Sequence, residues 1–396
     1  MNEYKCVPLD ENVEEMFIGP FGSSLKNECF VDEDEAYCMV YEQKHAIQKT
    51  MDVETRYVNE QKYNELKRFN IHGGDIIVSC RGTIGETFVV PEDAPLGIMH
   101  PSIMKIRLKD GVYDKYYFNL LLKSRLKKHE AEANGSGIKM AISATELGRE
   151  LFPVPTMQEQ QEITDIISGI SAVIEKRKQE LSALDDLIKA RFVEMFGDPV
   201  SNPLGWEKKM LKTVCVKLND GTHFSPESFE EGEYKYVTAK NIKESGFDFT
   251  NITYVSEAVH RPIYERCNPE LGDVLYIKDG VTTGIAMVNT LNEEFTLLSS
   301  VALLKQNRKI MDGYFLAAVL NNENMYSDIR SNMGGAAITR LTIAKLNMIQ
   351  IIVPPLKLQQ QFADFVHQVD KSKVAVQKAL DETQLLFDSL MQQYFG

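Results

Sequence analysis

The chain has 396 residues, 43% of them hydrophobic and 26% charged, an ordinary globular composition that excludes fibrous and wholly disordered proteins. Its length favours two or three domains. The formal net charge of −13 excludes a surface that is basic overall, so any contact with nucleic acid must be local. The N-terminus has no basic start before an apolar run, and no apolar stretch approaches about 18 residues, so we expect a cytoplasmic protein without a membrane segment.

The first 155 residues predict a compact α+β module. Short β-branched apolar runs at 75–79, 87–90 and 103–108 are separated by Gly and Pro, and one helical stretch covers 114–128. Six cysteines are scattered along the whole chain, with no CxxC pair and no histidine spaced to complete a zinc site. We expect reduced thiols and no bound metal. The cysteines are Cys6, Cys29, Cys38, Cys80, Cys215 and Cys267.

A long helix is predicted at 156–197. The segment has no Pro and one internal Gly, and eight of ten positions on a 4-3 spacing are apolar, with Arg177 and Arg191 as the exceptions. This spacing is typical of a helix that packs lengthwise on a partner helix. The apolar seam consists of Ile163, Ile167, Ile170, Ile174, Leu181, Leu184, Ile188 and Met195.

The second half of the chain repeats the first at an offset of about 198 residues. After the turn-forming segment 197–206, GDVLYIKDG at 272–280 matches GDIIVSCRG at 74–82, and DGYFLAAVL at 312–320 matches DKYYFNLLL at 114–122. PPLKLQQQF, which begins at Pro354, likewise matches PTMQEQQEI, which begins at Pro155. Several strings in the same order indicate an internal duplication, with a second α+β module at 198–354.

A second long helix is predicted at 355–396. Its seam has the same 4-3 spacing and is apolar except at Lys373 and Thr383. Its seam consists of Phe362, Val366, Val369, Val376, Leu380, Phe387, Leu390 and Tyr394. Two such helices should pair, and an antiparallel pair would relate the two modules by an approximate two-fold axis. The alternative is that each helix lies on its own module, because a seam does not identify its partner.

The sequence lacks motifs for catalysis. There is no GxxxxGK[ST] phosphate loop, and FIGPFG at 17–22 is a poor cofactor loop because Pro20 interrupts it. No Asn or Asp followed by Pro-Pro and an aromatic residue is present, and no catalytic acid, base or nucleophile recurs in both copies. A duplicated fold without duplicated catalytic groups is typical of a binding protein.

Loop residues of the two modules are of types that recognise DNA. Arg and Lys donate to guanine or phosphate, and hydroxyl groups contact base edges or the backbone. We expect His223 to be a turn hydrogen-bonder rather than a base, and the run KSRLKKH at 123–129 either faces phosphate or forms the polar face of its helix. Any single residue could instead be a solvated loop residue. The candidates are Ser23, Ser24, Lys26, Arg81, Thr83, Lys139, Thr222, His223, Lys240, Lys278, Thr283 and Arg340.

The layout resembles the specificity (S) subunits of type I restriction-modification systems over the whole chain. The resemblance rests on GDIIVSCRGTIG and GDVLYIKDGVTTG in the modules, DGTHFSP in the second, VPTMQEQQEI and VPPLKLQQQF at the helix starts, and RFVEMFG at a helix end. No single string is decisive, but their duplicated order is specific. One departure is that the second module lacks an obvious counterpart of PFGSSLK and the first lacks DGTHFSP.

The resemblance implies two target recognition domains, 1–155 and 198–354, each reading one half of a split, asymmetric site in double-stranded DNA. The helices at 156–197 and 355–396 would be spacers that form an antiparallel coiled coil and set the number of unspecified base pairs. Partners would be two methylation subunits, which methylate adenine N6 with S-adenosylmethionine, and restriction (motor) subunits that use ATP and Mg. The chain itself would be non-catalytic and carry no cofactor.

The alternative from another class is an interaction scaffold whose modules bind protein and whose coiled coil only spaces them. A chain without any preference among DNA sequences would favour the scaffold. A stand-alone methyltransferase fails on the missing motifs. The sequence does not give the recognised motif, the spacer length, or which residues contact bases rather than phosphates.

Overall fold

The computed structural model describes residues 4–81, 83–134, 143–331 and 340–396. Its contacts divide the chain into two compact units: unit 1 comprises Met1–Lys176 and Leu380–Gly396, and unit 2 comprises Arg177–Ala379. Within the described residues, no helix has the length and apolar character needed to cross a membrane.

The elements of the first half come first in chain order. The strands are β1 (Cys6–Pro8), β2 (Val13–Ile18), β3 (Cys38–Tyr41), β4 (Arg56–Val58), β5 (Asn70–Ile71), β6 (Ile76–Ser79), β7 (Thr87–Val89), β8 (Gly97–Met99), β9 (Ile103–Leu108) and β10 (Leu151–Pro153). The helices are α1 (Gln43–Gln48), α2 (Glu60–Glu65), α3 (Lys115–Asn134), α4 (Ala144–Arg149) and α5 (Met157–Phe196).

The second half continues the numbering. The strands are β11 (Lys208–Met210), β12 (Cys215–Asp220), β13 (Tyr234–Val237), β14 (Ile242–Lys243), β15 (Gly246–Phe247), β16 (Thr253–Val255), β17 (Val274–Ile277), β18 (Ala286–Val288), β19 (Thr296–Leu297), β20 (Val301–Gln306) and β21 (Gln350–Ile352). The helices are α6 (Leu211–Val214), α7 (Glu257–Arg266), α8 (Gly313–Asn321), α9 (Glu323–Ser331), α10 (Ile343–Met348) and α11 (Leu356–Phe395).

Unit 1 is built around an antiparallel sheet in the order β2-β9-β6-β7. Ile76 and Val78 of β6 pack with Phe118 of α3, whereas Ile77 packs with Met99 on a second sheet, ordered β4-β3-β8-β5. Both faces of the first sheet are therefore covered, which explains why successive residues of β6 are apolar rather than alternating.

Unit 2 repeats this arrangement with the antiparallel sheet β12-β20-β17-β18. Val274 and Tyr276 of β17 pack with Phe315 of α8, whereas Leu275 packs with Leu297 on a second sheet, ordered β16-β13-β19. In each second sheet one strand pair is parallel, β3 with β8 and β13 with β19. The internal repeat and the α+β class predicted from the sequence are confirmed.

A buried glutamine fixes the start of each long helix. Gln160 of α5 is fully buried, and its Nε2 donates to the carbonyl oxygens of Pro155 and Val112 at 2.9 and 3.0 Å. Its Oε1 accepts the N–H of Asp114 at 2.8 Å, just before α3 begins. The glutamine therefore ties α5 to the turn that precedes α3.

Gln359 of α11 does the same in unit 2. It is fully buried, donates to the carbonyl oxygens of Pro354 and Ile310 at 2.7 and 3.0 Å, and accepts the N–H of Asp312 at 2.9 Å. The repeated proline-to-glutamine string is thus a structural joint, because an amide side chain satisfies three buried backbone groups at once.

The two 40-residue helices are antiparallel within each unit. In unit 1 the start of α5, with Ile163, packs in the same core as Phe395 near the end of α11. In unit 2 the end of α5, with Phe192, packs in the same core as Phe362 near the start of α11. All twenty seam positions, including the four exceptions, are buried or half-buried. The long helices fit the coiled-coil linkers that the sequence predicts.

Two of the exceptions make polar bonds between the helices in unit 2. The guanidinium of Arg177 donates to the carbonyl oxygen of Ala379, and Nζ of Lys373 lies 2.5 Å from Oδ1 of Asp185. A charged group at a seam position gives a helix pair a preferred register at some cost in stability.

Candidate nucleic-acid interface

The candidate residues of unit 2 gather at one end of its four-stranded sheet. The strands of this sheet are antiparallel, so the last residues of β12 and β17, Asp220 and Ile277, lie at the same end of the sheet as the first residues of β18 and β20. We call 220–226, 278–285 and 340–341 the loop end of unit 2. Asp279 forms a β-bridge with Arg340, which brings the third segment to the other two.

A buried carboxylate organises this loop end. Oδ2 of Asp220 lies 3.2 Å from Nζ of Lys278, and Oδ1 lies 3.2 Å from Nε2 of His223 and 3.8 Å from Nη1 of Arg266. The Asp220 side chain is only 6% exposed. The negative charge of Asp220 thus holds three side chains, those of Lys278, His223 and Arg266, around the loop. His223 hydrogen-bonds Asp220 within the turn, as predicted.

Three of the candidates of unit 2 are buried and bond to groups within the unit. The Lys278 side chain is 2% exposed and its ammonium group points at Asp220. The hydroxyl of Thr283 donates to the carbonyl oxygen of Gly280 at 2.7 Å, and that of Thr222 donates to the carbonyl oxygen of Phe224 at 3.2 Å. These side chains hold the loop in shape through contacts within the unit. Their expected role as DNA ligands stays a prediction.

Three other candidates of unit 2 are exposed. The side chains of His223 and Arg340 are 56% and 54% exposed, and Arg340 lies 3.6 Å from Oδ2 of Asp279. Lys240 is exposed in a short turn whose neighbour, Ala239, donates its N–H to Oγ of Ser300 just before β20. All three can therefore reach a ligand at the loop end.

The loop end of unit 1 comprises the described residues of 19–26, 80–81, 83–86 and 100–102, at the corresponding end of the sheet β2-β9-β6-β7. Ser23, Arg81 and Thr83 are exposed and Ser24 is half-buried. The Lys26 side chain is 60% exposed, with its ammonium group 3.8 Å from Glu28. Lys139 lies outside the described residues, so the structure says nothing of it.

Two dissimilar loops occupy the same place in the two units. Gly19 donates its N–H to the carbonyl oxygen of Ile103 at the start of β9, and Gly221 donates to Val301 at the start of β20. A Cβ atom on Gly19 would clash with the backbone of His100, and one on Gly221 with the backbone of Leu297.

The segments that contain PFGSSLK and DGTHFSP are therefore structural counterparts. This corrects the departure noted from the sequence, which found no counterpart for either segment. Candidate DNA contacts can now be compared between the two loops.

Unit 1 also has a basic cluster, of which the sequence indicated Lys123 but not Lys49. Oε2 of Glu86 lies 3.5 Å from Nζ of Lys49 and 3.8 Å from Nζ of Lys123. Burial and the nearby ammonium group of Lys49 lower the pKa of Lys123 to about 8. Lys49 is exposed in a left-handed turn after α1, where no sequence pattern marks it.

The basic run 123–129 divides between two environments. Lys123 faces Glu86 and Leu126 is buried, whereas Lys127 and Lys128 are exposed. His129 lies 2.7 Å from Glu150 and is paired within the unit. Lys123 thus lies next to Glu86 of the loop end, whereas Lys127 and Lys128 lie on an exposed helix face.

Among the described residues, His, Cys, Asp and Glu side chains form no group that could hold a metal ion. The six cysteines have free thiols. Burial raises the pKa of the Cys38 and Cys80 thiols to about 11, and that of Cys215 and Cys267 to about 12. These four thiols therefore stay protonated at neutral pH and are poor nucleophiles.

The chain is similar to curated specificity subunits and to solved S subunits. The type I restriction enzyme MjaIX specificity subunit of Methanocaldococcus jannaschii is 22% identical over 85% of this chain and 80% of its own length. The MjaVIII specificity subunit of the same organism is 21% identical over 79% and 78%. The crystal structure of a type I restriction-modification S subunit from M. genitalium superposes with a TM-score of 0.57 at 18% identity, covering 100% of this chain and 97% of that one.

A further chain, from a structure of complex assembly and conformational transition of the type I R-M system, gives a TM-score of 0.60 at 16% identity, covering 100% and 98%. These two structures share the fold of this chain. The model of the type I restriction modification DNA specificity domain matches twice, at 14–184 and 203–383, which together make up most of the sequence. The chain therefore belongs to the family of type I restriction-modification DNA specificity subunits.

Proposed function

We propose that residues 1–155 and 198–354 are two target recognition domains that each read one half of a bipartite, asymmetric site in double-stranded DNA. The observation that carries this proposal is the pair of equivalent loop ends. Each lies at the corresponding end of the four-stranded sheet of its own unit. Loops on a rigid sheet can change in sequence without changing the fold, which suits a surface that must read a particular motif.

The two loop ends carry different chemistry, so their half-sites should differ. Arg81 and Thr83 of unit 1 correspond to Asp279 and Val281 of unit 2, because Cys80 and Lys278 make the same backbone bond to Ser102 and Ser300. Guanidinium and hydroxyl groups donate to base edges, whereas a carboxylate accepts from cytosine N4 and an apolar side chain contacts a thymine methyl group.

The basic cluster of unit 1 is proposed to contact phosphate. Lys49 and Lys123 share one carboxylate, that of Glu86, so the cluster keeps a net positive charge next to the loop 80–86. Phosphate contacts supply affinity and fix the orientation of DNA without reading its sequence. In unit 2, the exposed Lys240 and Arg340 are proposed for the same purpose.

The long helices are proposed to act as spacers between the half-sites and to dock two methylation subunits. Several large apolar side chains on them lie off the seam and are exposed, which favours a further covering partner. They are Ile166, Val173, Leu187, Val193, Val374, Leu385 and Leu386.

A cavity of about 850 Å³ in unit 2 supports docking. Its floor includes Phe192 of α5, Ala317 of α8 and Val366 of α11, and its rim is mainly acidic. An amphipathic segment with basic flanks would fit such a groove.

Catalysis is proposed to belong to partner subunits. The chain has no phosphate loop and no repeated catalytic grouping in its sequence, and its repeated glutamines, Gln160 and Gln359, are fully used in backbone hydrogen bonds. S-adenosylmethionine would bind the methylation subunits, and ATP with Mg would bind the restriction subunits.

Exchange of one module tests this function. Residues 1–155 are replaced by the corresponding module of a relative, the chain is produced with its methylation subunits, and methylated adenines are mapped by sequencing. One half of the motif should change while the other half and the spacing stay the same. A reciprocal exchange of 198–354 is the matched control and should change the other half.

Two results would count against the function. A simultaneous change of both halves would contradict independent reading by the two modules. An assembled complex without any preference among DNA sequences would favour an interaction scaffold instead.

A further inference from the structure

Each of the two equivalent loops presents a phenylalanine to solvent. Phe21 follows Gly19 by two residues and is 86% exposed, and Phe224 follows Gly221 by three residues and is 60% exposed. A phenylalanine side chain loses the favourable free energy of burial by remaining in water, so an exposed ring at the same place in both units indicates a binding surface.

Both rings stand on fixed backbone. The carbonyl oxygen of Phe21 accepts the N–H of Ser24 at 2.8 Å, and Phe21 starts the short helical turn at 22–24. In unit 2, Thr222 donates its N–H to Leu297 and accepts that of Ser299, each at 2.8 Å, directly before the exposed pair His223 and Phe224. The rings are therefore held out by the loop and need little ordering when they bind.

The surroundings of the rings are polar and partly cationic. The exposed residues Ser23 and Lys26 follow Phe21 in its loop. In unit 2, the exposed His223 directly precedes Phe224, and the guanidinium of Arg266 donates to the carbonyl oxygen of Gly221. A standard protein–protein interface buries about 800 Å² on each partner, more than one ring among polar groups can provide. A single apolar side chain does fit a DNA groove, where it contacts a thymine methyl group or wedges between base steps.

Charge limits where DNA can approach each ring. An acidic stretch follows each ring along the chain, at 32–35 in unit 1 and at 227–233 in unit 2. Backbone hydrogen bonds from Val31 to Tyr57 and from Phe229 to Tyr254 connect these stretches to the second sheet of their unit. Carboxylates repel phosphate. We therefore expect DNA to approach each ring from the side away from its acidic stretch.

We propose that Phe21 and Phe224 make apolar contacts with the bases of the first and second half-site, respectively. This inference rests on the proposed function and adds two specificity-determining residues to it. Neither residue was among the candidates from the sequence, since their loops share no similarity. The equivalence of Gly19 and Gly221 is the observation that pairs them.

The test uses the full chain with its methylation subunits. Methylated adenines first give the motif of the wild type, and affinity for a duplex with that motif is then measured over a series of salt concentrations. The variants are Phe21→Ala, Phe21→Leu, Phe224→Ala and Phe224→Leu. Tyr116→Ala and Met348→Ala serve as controls, because these side chains are 62% and 54% exposed on α3 and α10, away from the loop ends.

Each alanine variant should bind about 5- to 100-fold more weakly, as expected for loss of a ring from a base contact. The motif should become degenerate in one half only, the first for Phe21→Ala and the second for Phe224→Ala. The dependence on salt should not change, because the ring carries no charge. The leucine variants should retain most of the affinity, and the controls should match the wild type.

Several results would overturn the inference. An alanine variant with unchanged affinity and motif would exclude the base contact while leaving the proposed function intact. A variant that loses its methylation subunits would identify the ring as a protein contact. A wild-type chain that yields no bipartite motif would remove the proposed function together with this inference.

Discussion

Nζ of Lys278 lies 3.2 Å from Oδ2 of Asp220, and both side chains are almost fully buried at the loop end of unit 2. The backbone of Lys278 is also fixed, since its N–H donates to Ser300 and its carbonyl oxygen accepts the N–H of Leu341. The ion pair joins the ends of β12 and β17, and the backbone bond to Leu341 adds the segment 340–341. We therefore expect the lysine to affect DNA recognition through the shape of the loop.

Removing the lysine should destabilise unit 2. Lys278→Met leaves the Asp220 carboxylate buried with a weaker set of partners, and breaking a buried pair typically costs about 3–5 kcal/mol. We expect a loss of about 3 kcal/mol in the free energy of unfolding, because His223 and Arg266 still face the carboxylate. The single tryptophan, Trp206, lies in unit 2 and reports its unfolding by fluorescence in a denaturant titration.

Two further variants separate positioning from direct contact. The double variant Lys278→Met with Asp220→Leu should recover most of the stability, because no buried charge is left. Lys240→Met, at an exposed lysine, should leave stability unchanged and weaken DNA binding with a lower salt slope. A stable Lys278→Met chain with a lower salt slope would show instead that Lys278 contacts phosphate.

The sequence predicted the sheet strands and long helices well, because their apolar patterns are regular. The run at 103–108 coincides with β9, and the long helices begin and end within one residue of the expected bounds. The second sheets were not predicted, because their strands have only two to four residues and show no periodicity. The helix expected at 114–128 continues to Asn134.

The arrangement of the candidate residues could not be predicted in the same way, for two physical reasons. Lys278 was predicted to contact DNA, and its burial was not foreseen because its partner, Asp220, is distant in sequence. Its equivalent, the buried Cys80, was the available signal for burial. The pairing of the two loops was missed because the offset between the two copies of the repeat is not constant along the loops. It is 202 residues between Gly19 and Gly221 and returns to 198 residues between Val31 and Phe229.

The glutamine joints make a second prediction. Gln359→Met keeps the side-chain volume but leaves the N–H of Asp312 and two carbonyl oxygens without their partner. Each unsatisfied buried group costs about 1–3 kcal/mol, so the free energy of unfolding should fall by about 3 kcal/mol or more. Gln360→Met, at the exposed neighbouring position, is the control and should change stability by less than about 0.5 kcal/mol.

Denaturant unfolding followed at Trp206 measures both variants. Equal stability of Gln359→Met and the wild type would mean that water or a shift of the backbone replaces the glutamine. The corresponding variant of unit 1, Gln160→Met, is expected to behave alike, with circular dichroism as its probe.

The lowered pKa of Lys123 predicts a pH dependence of DNA binding. A phosphate contact favours the ammonium form, which is lost as the pH rises through about 8. Affinity for the cognate duplex should therefore fall by up to about tenfold between pH 7 and 9. The charged groups that face Lys123 are Lys49, Lys127 and Glu86. Removing the positive charge of Lys49 or Lys127 should raise the pKa of Lys123.

Lys123→Met should remove this pH dependence and lower affinity at pH 7.

The lysine also affects stability: its pKa in the unfolded chain is near 10.5, so the unfolded state binds more protons between pH 8 and 10.5. The free energy of unfolding of the wild type, relative to that of Lys123→Met, should therefore rise with pH over this range. Identical pH profiles for the two chains would show that Lys123 is not a phosphate ligand.

The long helices should act as a ruler between the half-sites. A heptad inserted after Leu184 keeps the apolar seam of α5 in register and lengthens the helix by about 10 Å, since each residue rises about 1.5 Å. The insertion falls between Arg177 and Asp185, which bond to Ala379 and Lys373 of α11, so only one of these two bonds can keep its place. DNA rises about 3.4 Å per base pair, so the motif should gain up to about three unspecified base pairs.

The gain should be smaller than this limit because only one of the two helices is lengthened. The measurement is the pattern of methylated adenines in a strain that carries the insertion, and both half-site sequences should be unchanged. A four-residue insertion at the same position is the matched control: it rotates Ile188 and the following seam residues away from the partner helix, so it should impair assembly rather than shift the spacing. An assembled, active heptad variant with the original spacing would refute the ruler.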